Sequence, residues 1–181
     1  MDWQIPKLEI GSVVKGSDLE VVPVFQDAGK KLAIPAGPYA AMLANLKKSH
    51  SFSGGAGSCQ FVRFGGKNGV ENVLFLGLGQ ASELTEERVR NAGGHAWAKL
   101  LHEKSKKVAI SGEYLLSAKG LKTEVSSTAW ATALAEGLIY GAYQYQRFRQ
   151  KESHVTFPST LTWIVPGTAK KSLRQGLVES F

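Results

Sequence analysis

The chain of 181 residues carries 22 Lys and Arg against 15 Asp and Glu, for a formal charge of +7, and is 43% hydrophobic. This length suits one domain with a single core, and this composition excludes a disordered or fibrous chain. No apolar run approaches the ~18 residues that cross a bilayer, so no membrane contact is expected, and the single Cys59 excludes an internal disulfide and fits a reducing, cytoplasmic setting.

Met1-Asp2-Trp3-Gln4-Ile5-Pro6 has neither a basic start nor an apolar core, so it does not read as a secretory signal. Leu8–Ile10 and Leu19–Phe25 read as the first strands, separated by the turn-rich Gly11–Asp18. Pro23 within Val21-Val22-Pro23-Val24-Phe25 moves the second strand toward an edge or a strand end. After Pro38, Tyr39–Lys48 reads as a short helix, with Ala40, Leu43, Ala44 and Lys47 at helical spacing. Ser51–Ser58 is a Gly/Ser turn and Cys59–Phe64 a strand. Gly65-Gly66-Lys67-Asn68-Gly69 is a second turn leading into a strand at Asn72–Gly77, so a hairpin and a mixed sheet are expected.

Gly77-Leu78-Gly79 then reads as a tight turn before a helix. Thr85 is the expected N-cap, with Glu86 and Glu87 in the first turn. Val89, Ala92, Gly93, Ala96, Trp97, Leu100 and Leu101 form the buried stripe of that helix. Gly93 and Gly94 each cost about 1 kcal/mol relative to Ala, which close packing on the sheet is expected to offset. Val108–Ser111 is the next strand, and Glu124–Arg147 a long helix with Val125, Ala129, Ala133, Glu136, Gly137, Tyr140 and Gly141 near one stripe. Leu161–Val165 is the last strand, and a further helix starts at Ala169 and runs to Phe181. These elements imply a three-layer α/β/α domain with a mixed central sheet over residues 1–167, then the start of another helix over 168–181.

A buried strand, glycines and a helix start are how α/β proteins bring backbone amides to a phosphate. Here Ser82 stands where the third glycine of a dinucleotide fingerprint would be. Glu103, the acid nearest the ribose-binding distance, falls on a helix rather than at a strand end. A structural corner is therefore the better reading of Gly77–Gly79. Gly54–Ser58 lacks the Lys-Ser/Thr ending of a P-loop and precedes a strand, so it reads as a hairpin-type loop, as does Gly65–Gly69.

His50, His95, His102 and His154 form no His-Glu-x-x-His and no close pair. His95, beside the stripe of its helix, reads as a partly buried structural residue. Asp2, Asp18 and Asp27 are all the aspartates, clustered at one end of the sequence with nothing that converges them on a two-metal site. Cys59 has no His or basic neighbour and reads as a buried strand thiol. Ser117, Ser126 and Ser127 sit in no nucleophile elbow. No catalytic, cofactor-binding or metal-ligating residue is expected in this chain. Basic residues gather at Lys99–Lys107, Arg147–Lys151 and Lys170–Arg174. They read as solvated cations near helix ends in preference to a nucleic-acid face.

Two stretches together resemble one family. Asn72–Gly79, continuing through Leu84-Thr85-Glu86-Glu87-Arg88-Val89-Arg90-Asn91-Ala92-Gly93, is similar to the central strand–turn–helix of the N-terminal domain of leucyl (cytosol) aminopeptidases. Ala133-Leu134-Ala135-Glu136-Gly137-Leu138-Ile139-Tyr140-Gly141-Ala142-Tyr143-Gln144-Tyr145, followed by Arg147 and Phe148, resembles the end of that domain. Val21–Phe25 agrees with its early strand and Leu161–Val165 with its last.

The resemblance implies a macro-domain-like fold. It also implies a parent metallo-aminopeptidase, a hydrolase that releases N-terminal amino acids from peptides with two divalent metals (Zn, Mn or Mg), assembled as a hexamer. In that family the metal ligands and the catalytic Lys and Arg lie in a separate C-terminal domain, around an Asn-Thr-Asp-Ala-Glu-Gly-Arg-Leu motif. Ala135-Glu136-Gly137 lacks both flanks of that motif, so no catalytic residue carries over. The implied role is a non-catalytic domain serving assembly or regulation, with its own catalytic domain as partner and residues 168–181 opening the inter-domain helix. Two alternatives stand beside it: a nucleotide-binding module of macro-domain type for an ADP-ribose-like ligand, and a DNA-binding domain, a use that some family members make of this domain.

Overall fold

Apolar runs rich in Val, Leu and Ile become interior strands when both sheet faces are covered, and five of the six strands here run parallel between two helical layers. The computed structural model describes residues 7–11, 16–63, 72–116, 127–147 and 158–164. In chain order the strands are β1 (Lys7–Gly11), β2 (Leu19–Gln26), β3 (Cys59–Arg63), β4 (Asn72–Gln80), β5 (Lys107–Ser111) and β6 (Thr160–Ile164). Among the described residues the helices are α1 (Ala40–Lys48), α2 (Glu86–His102), α3 (Gly112–Leu116) and α4 (Ser127–Arg147), with a 3-10 turn at Ala81–Glu83.

The sheet order is β1-β6-β5-β2-β4-β3, and β3 alone is antiparallel to its neighbour. Its register, Cys59 opposite Leu76 through Arg63 opposite Asn72, is that of the expected hairpin. The connecting turn, Gly65–Gly69, lies outside the described residues, as do Glu124–Ser126, Val165 and the expected helix from Ala169.

Strand alternation divides the core in two. Val21 of β2, Leu74, Leu76 and Leu78 of β4, Ile110 of β5 and Trp163 of β6 face α2 and α4. Val22 and Val24 of β2 with Val73 and Phe75 of β4 face the other way, onto Leu43 of α1, Tyr114 of α3, Tyr39 and Phe52. The result is the three-layer arrangement with a mixed sheet.

Three expectations need correction. Pro23 does not mark an edge: β2 lies between β5 and β4. It is tolerated because the β2–β5 ladder ends at Val21 opposite Ile110, two residues before Pro23, so the missing N–H interrupts no bond on that side. Gly77 and Gly79 are not a turn after the strand but part of β4, which runs on to Gln80. Gly93 and Gly94 pack on α4 rather than on the sheet, since a Cβ on Gly93 would stand 2.7 Å from the Leu134 carbonyl oxygen and 2.9 Å from the Leu138 nitrogen. The short helix α3, which follows β5 without a linker, has no signal in the sequence strong enough to separate it from the strand end.

Candidate functional site

The glycine-rich segments meet at the C-terminal end of β4. Gly57 N donates to the Gly77 carbonyl at 2.9 Å, Gly77 N to the Ser58 carbonyl at 2.8 Å, and Gly79 N to the Gly54 carbonyl at 3.0 Å. Ser58 N and Ser58 Oγ both donate to the Gly55 carbonyl, at 3.0 and 2.5 Å. The loop therefore continues the β3–β4 pairing past Cys59 and lies flat on β4. A Cβ on Gly77 would overlap the Gly55 carbonyl oxygen and Ser58 Oγ, and Gly79 has φ +74°, a region that glycine enters without a Cβ clash. These glycines are there for close approach of two backbones. The amides of Gly57, Ser58, Gly77 and Gly79 already donate to carbonyls, so these four are not open to a phosphate.

The second motif is consumed in the seam between α2 and α4. A Cβ on Gly137 would overlap the Arg90 carbonyl oxygen and stand 2.7 Å from its carbon. One residue earlier, Glu136 Oε2 accepts from Arg90 Nε at 2.8 Å and pairs with Arg90 Nη2 at 2.7 Å. Ala-Glu-Gly thus supplies a small residue, an anchor for Arg90 and a gap that admits the α2 backbone. Thr85 caps α2 as expected, accepting from Arg88 N at 3.2 Å, and Glu83 pairs with Arg88 at 2.8 Å. The hydrogen bond and charge of Arg88 hold the Glu83 carboxyl below the usual carboxylate range.

A third cluster gathers on Glu20, and no motif in the sequence marks it. Glu20, in the middle of the β2 apolar run, is 3% exposed. Its Oε2 accepts from Tyr39 Oη and its Oε1 from Ser111 Oγ. Burial pushes its carboxyl above the usual carboxylate range; the two hydroxyls oppose that shift and Glu113 adds to it. Burial likewise pushes the Tyr114 phenol up to about 12, with Glu113 and Glu20 adding to the shift. The signal available in sequence was one acid among Leu19, Val21, Val22 and Val24; its partners, far along the chain, carried none.

The remaining candidates are dispersed. Asp18 Oδ2 accepts from Lys106 N at 3.0 Å and Lys107 N at 2.9 Å, closing the entry to β5. Asp27 Oδ1 accepts from Gly29 N and Lys31 N, both at 2.9 Å, in the turn after β2. His50 is an exposed residue with φ 55° after α1, and His95 is exposed on α2, with its ring against Gly57, rather than partly buried. Cys59 is half-buried in β3, and burial pushes its thiol up to about 11, partly opposed by Lys99.

Glu103 gathers Arg63 at 3.1 Å, Lys99 at 3.5 Å and His102 at 3.0 Å. Its partial burial raises the carboxyl pKa, but the bonds from His102 and Arg63 and the charge of Lys99 outweigh that and leave it below the usual range. Lys99 and His102 occupy the last turn of α2, as the helix-end reading of that cluster expects. Asp2, His154, Ser117, Ser126 and the cluster at Lys170–Arg174 lie outside the described residues, as does Phe148–Lys151 of the cluster that begins at Arg147. Among the described residues, no three of His, Cys, Asp and Glu stand close enough to hold a metal ion, and no helix is long and apolar enough to cross a membrane.

Residues 21–152, well over half of the chain, match the N-terminal domain of the cytosol aminopeptidase family. The chain belongs to that family. A probable cytosol aminopeptidase of Clostridium perfringens (strain 13 / Type A) is 27% identical to it over 133 residues, which cover 74% of this chain and 25% of the relative. One from Geobacter sp. (strain M21) is 28% identical over 133 residues, 73% of this chain and 25% of the relative. This aminopeptidase-family chain thus spans about a quarter of the length of the curated relatives it matches. A tomato leucine aminopeptidase mutant shares its fold with a TM-score of 0.69 at 19% identity, over 99% of this chain and 37% of that one. The bottromycin maturation enzyme BotP, solved in complex with Mn, does so with a TM-score of 0.56 at 16% identity, over 91% of this chain and 30% of that one. Both matched segments, at β4–α2 and in α4, fall within the family match and are the segments whose glycines seat one backbone against another.

Proposed function

We propose that this chain is the non-catalytic N-terminal domain of a cytosolic dimetal leucyl aminopeptidase, serving its assembly rather than its chemistry. One observation carries the reading: the residues of the two family segments are engaged in packing. The amides of Gly57, Ser58, Gly77 and Gly79 donate to carbonyls, Glu136 holds Arg90, and Gly93 and Gly137 let α2 and α4 touch. The donor set does not fit a dimetal centre either, since Asp18 and Asp27 each accept two backbone N–H bonds and, among the described residues, no three of His, Cys, Asp and Glu converge. The two divalent metals (Zn, Mn or Mg) and the peptide substrate accordingly belong to the catalytic domain of the parent enzyme, a hexamer by the family resemblance.

The test is an assay of the 181-residue protein on a leucyl chromogenic amide with added manganese or zinc. No turnover is expected, and metal-dependent turnover by this chain alone would overturn the reading. The same engaged amides weigh against the nucleotide-binding alternative, for which calorimetry with ADP-ribose is expected to give no binding heat. Lys99 and His102, turned onto Glu103, weigh against the DNA-binding one.

A further inference from the structure

We propose that Glu20 is a proton-operated latch, a buried carboxyl on a central strand that pins the start of α1 and the β5–α3 junction to the sheet and loosens both when it ionises. Glu20 shares its face of β2 with Val22 and Val24, under the α1 and α3 layer. Its two oxygens are divided between two other segments. Tyr39, on Oε2, is the N-cap residue of α1, a helix with no side-chain cap of its own, so its hydroxyl ties the start of that helix to the sheet. Ser111, on Oε1, is the last residue of β5 and is followed directly by Gly112 of α3. Segments separated by 19 and 91 positions from Glu20 therefore meet on one carboxyl.

The surroundings favour the neutral acid. From α3 the groups that bear on it electrically are Glu113, a like charge, and Tyr114; from the α1 cap it is Tyr39, and from β5 Ser111. The same face of β4 presents only Val73 and Phe75, and α1 presents Leu43. None of the ion pairs among the described residues includes Glu20. Two hydroxyl donors are less than a desolvated carboxylate needs, and Glu113 makes the charge costlier.

The sign of the linkage follows. The folded chain binds the Glu20 proton more tightly than the unfolded chain does, so the latch is fully closed below the ordinary carboxyl range. Its contribution is lost as pH rises through the raised value. Opening uncovers the apolar patch formed by Val22, Val24, Leu43 and Phe75 while the α2–α4 face stays packed.

Hydrogen exchange of the 181-residue protein tests this, with amides of α1 followed against amides of α2 as an internal reference. Protection factors, corrected for intrinsic exchange, are compared between about pH 5 and 9 in the natural chain and in Glu20→Gln. The natural chain is expected to lose α1 protection relative to α2 as pH rises, by about tenfold for each unit by which the carboxyl is displaced. Glu20→Gln, which has no proton to lose, is expected to show a flat ratio. A ratio independent of pH in the natural chain, or the same fall in Glu20→Gln, overturns the proposal. Should Glu20→Gln fail to fold, Ser111→Ala decides: it removes a donor to the carboxylate and leaves the Tyr39 arm on α1 in place, so the midpoint of the α1 loss moves to higher pH. An unmoved or lowered midpoint there overturns the proposal as well.

Discussion

Alanine at Gly137 and at Gly94 is expected to have opposite effects, although both glycines lie in the same helix–helix seam. Either substitution gains about 0.8–1 kcal/mol of helix propensity, because alanine loses less backbone freedom on folding. At Gly137 the new methyl overlaps the Arg90 carbonyl oxygen and comes within 3.0 Å of the Arg90 Cα, all of it backbone that cannot rotate away. The helices must separate, which unpacks Leu134 and Leu138 from Ala92, Ala96 and Trp97, all buried in one cluster. Overpacking of this kind costs about 3 kcal/mol, a net loss of about 2 kcal/mol after the propensity gain. For a chain of this size that is a fall in Tm of about 4–8 °C. At Gly94 the nearest atom to the new methyl is the Gly137 carbonyl oxygen at 3.8 Å, an ordinary contact, so the propensity gain survives. Gly94→Ala is expected to raise Tm by about 2–3 °C. Thermal unfolding followed by circular dichroism reads both. A Gly137→Ala protein as stable as the natural chain, or a Gly94→Ala protein destabilised to the same extent, would refute the close-approach account of the seam.

Gly77→Ala is expected to lift the Gly54–Ser58 loop from β4 and cost about 1–3 kcal/mol, read as a lower urea midpoint with an unchanged slope; an unchanged midpoint would contradict the overlap with Gly55 and Ser58. Thr85→Ala removes the acceptor for Arg88 N and is expected to cost about 1 kcal/mol in the same titration. Cys59, with its thiol pushed up to about 11, stays a neutral thiol through neutral pH. Its alkylation by iodoacetamide in the folded chain is expected to be slow near neutrality and to rise only toward that value, whereas a rate profile centred on the free-thiol range would show that burial does not hold it.

The strands and long helices were legible because their apolar periods, two and 3.6, are local properties of the sequence. Pro23 was misread because the rule about proline concerns hydrogen bonds, and nothing near Pro23 discloses that β5 stops pairing at Ile110. The glycines of β4 were legible as backbone approaching something. Whether that something is a phosphate or another strand is decided by Gly54–Ser58, some twenty residues earlier in the chain. Gly93 was assigned the wrong neighbour for the same reason: a glycine on a helix stripe marks a close approach without naming the element that approaches. Glu20 shows the same dependence on distant segments. An acid inside an apolar strand is conspicuous, but Tyr39 and Ser111 become its partners only once α1 folds over the sheet and β5 lies beside β2.

The pairing of β1 with β6 bears on how the chain is made. Lys7–Gly11 precedes the other described strands yet, among the described residues, pairs with Thr160–Ile164 alone, so during synthesis it waits while β2 to β5 and α2 can already condense. At about 5–20 residues per second that wait is on the order of ten seconds. Throughout it, an unpaired strand is tethered to a nearly complete sheet whose β5 edge is still open. The last step of sheet formation is therefore a long-range closure, slow by topology rather than by sequence, and the nascent chain is most exposed to a competing strand just before residue 160 is made.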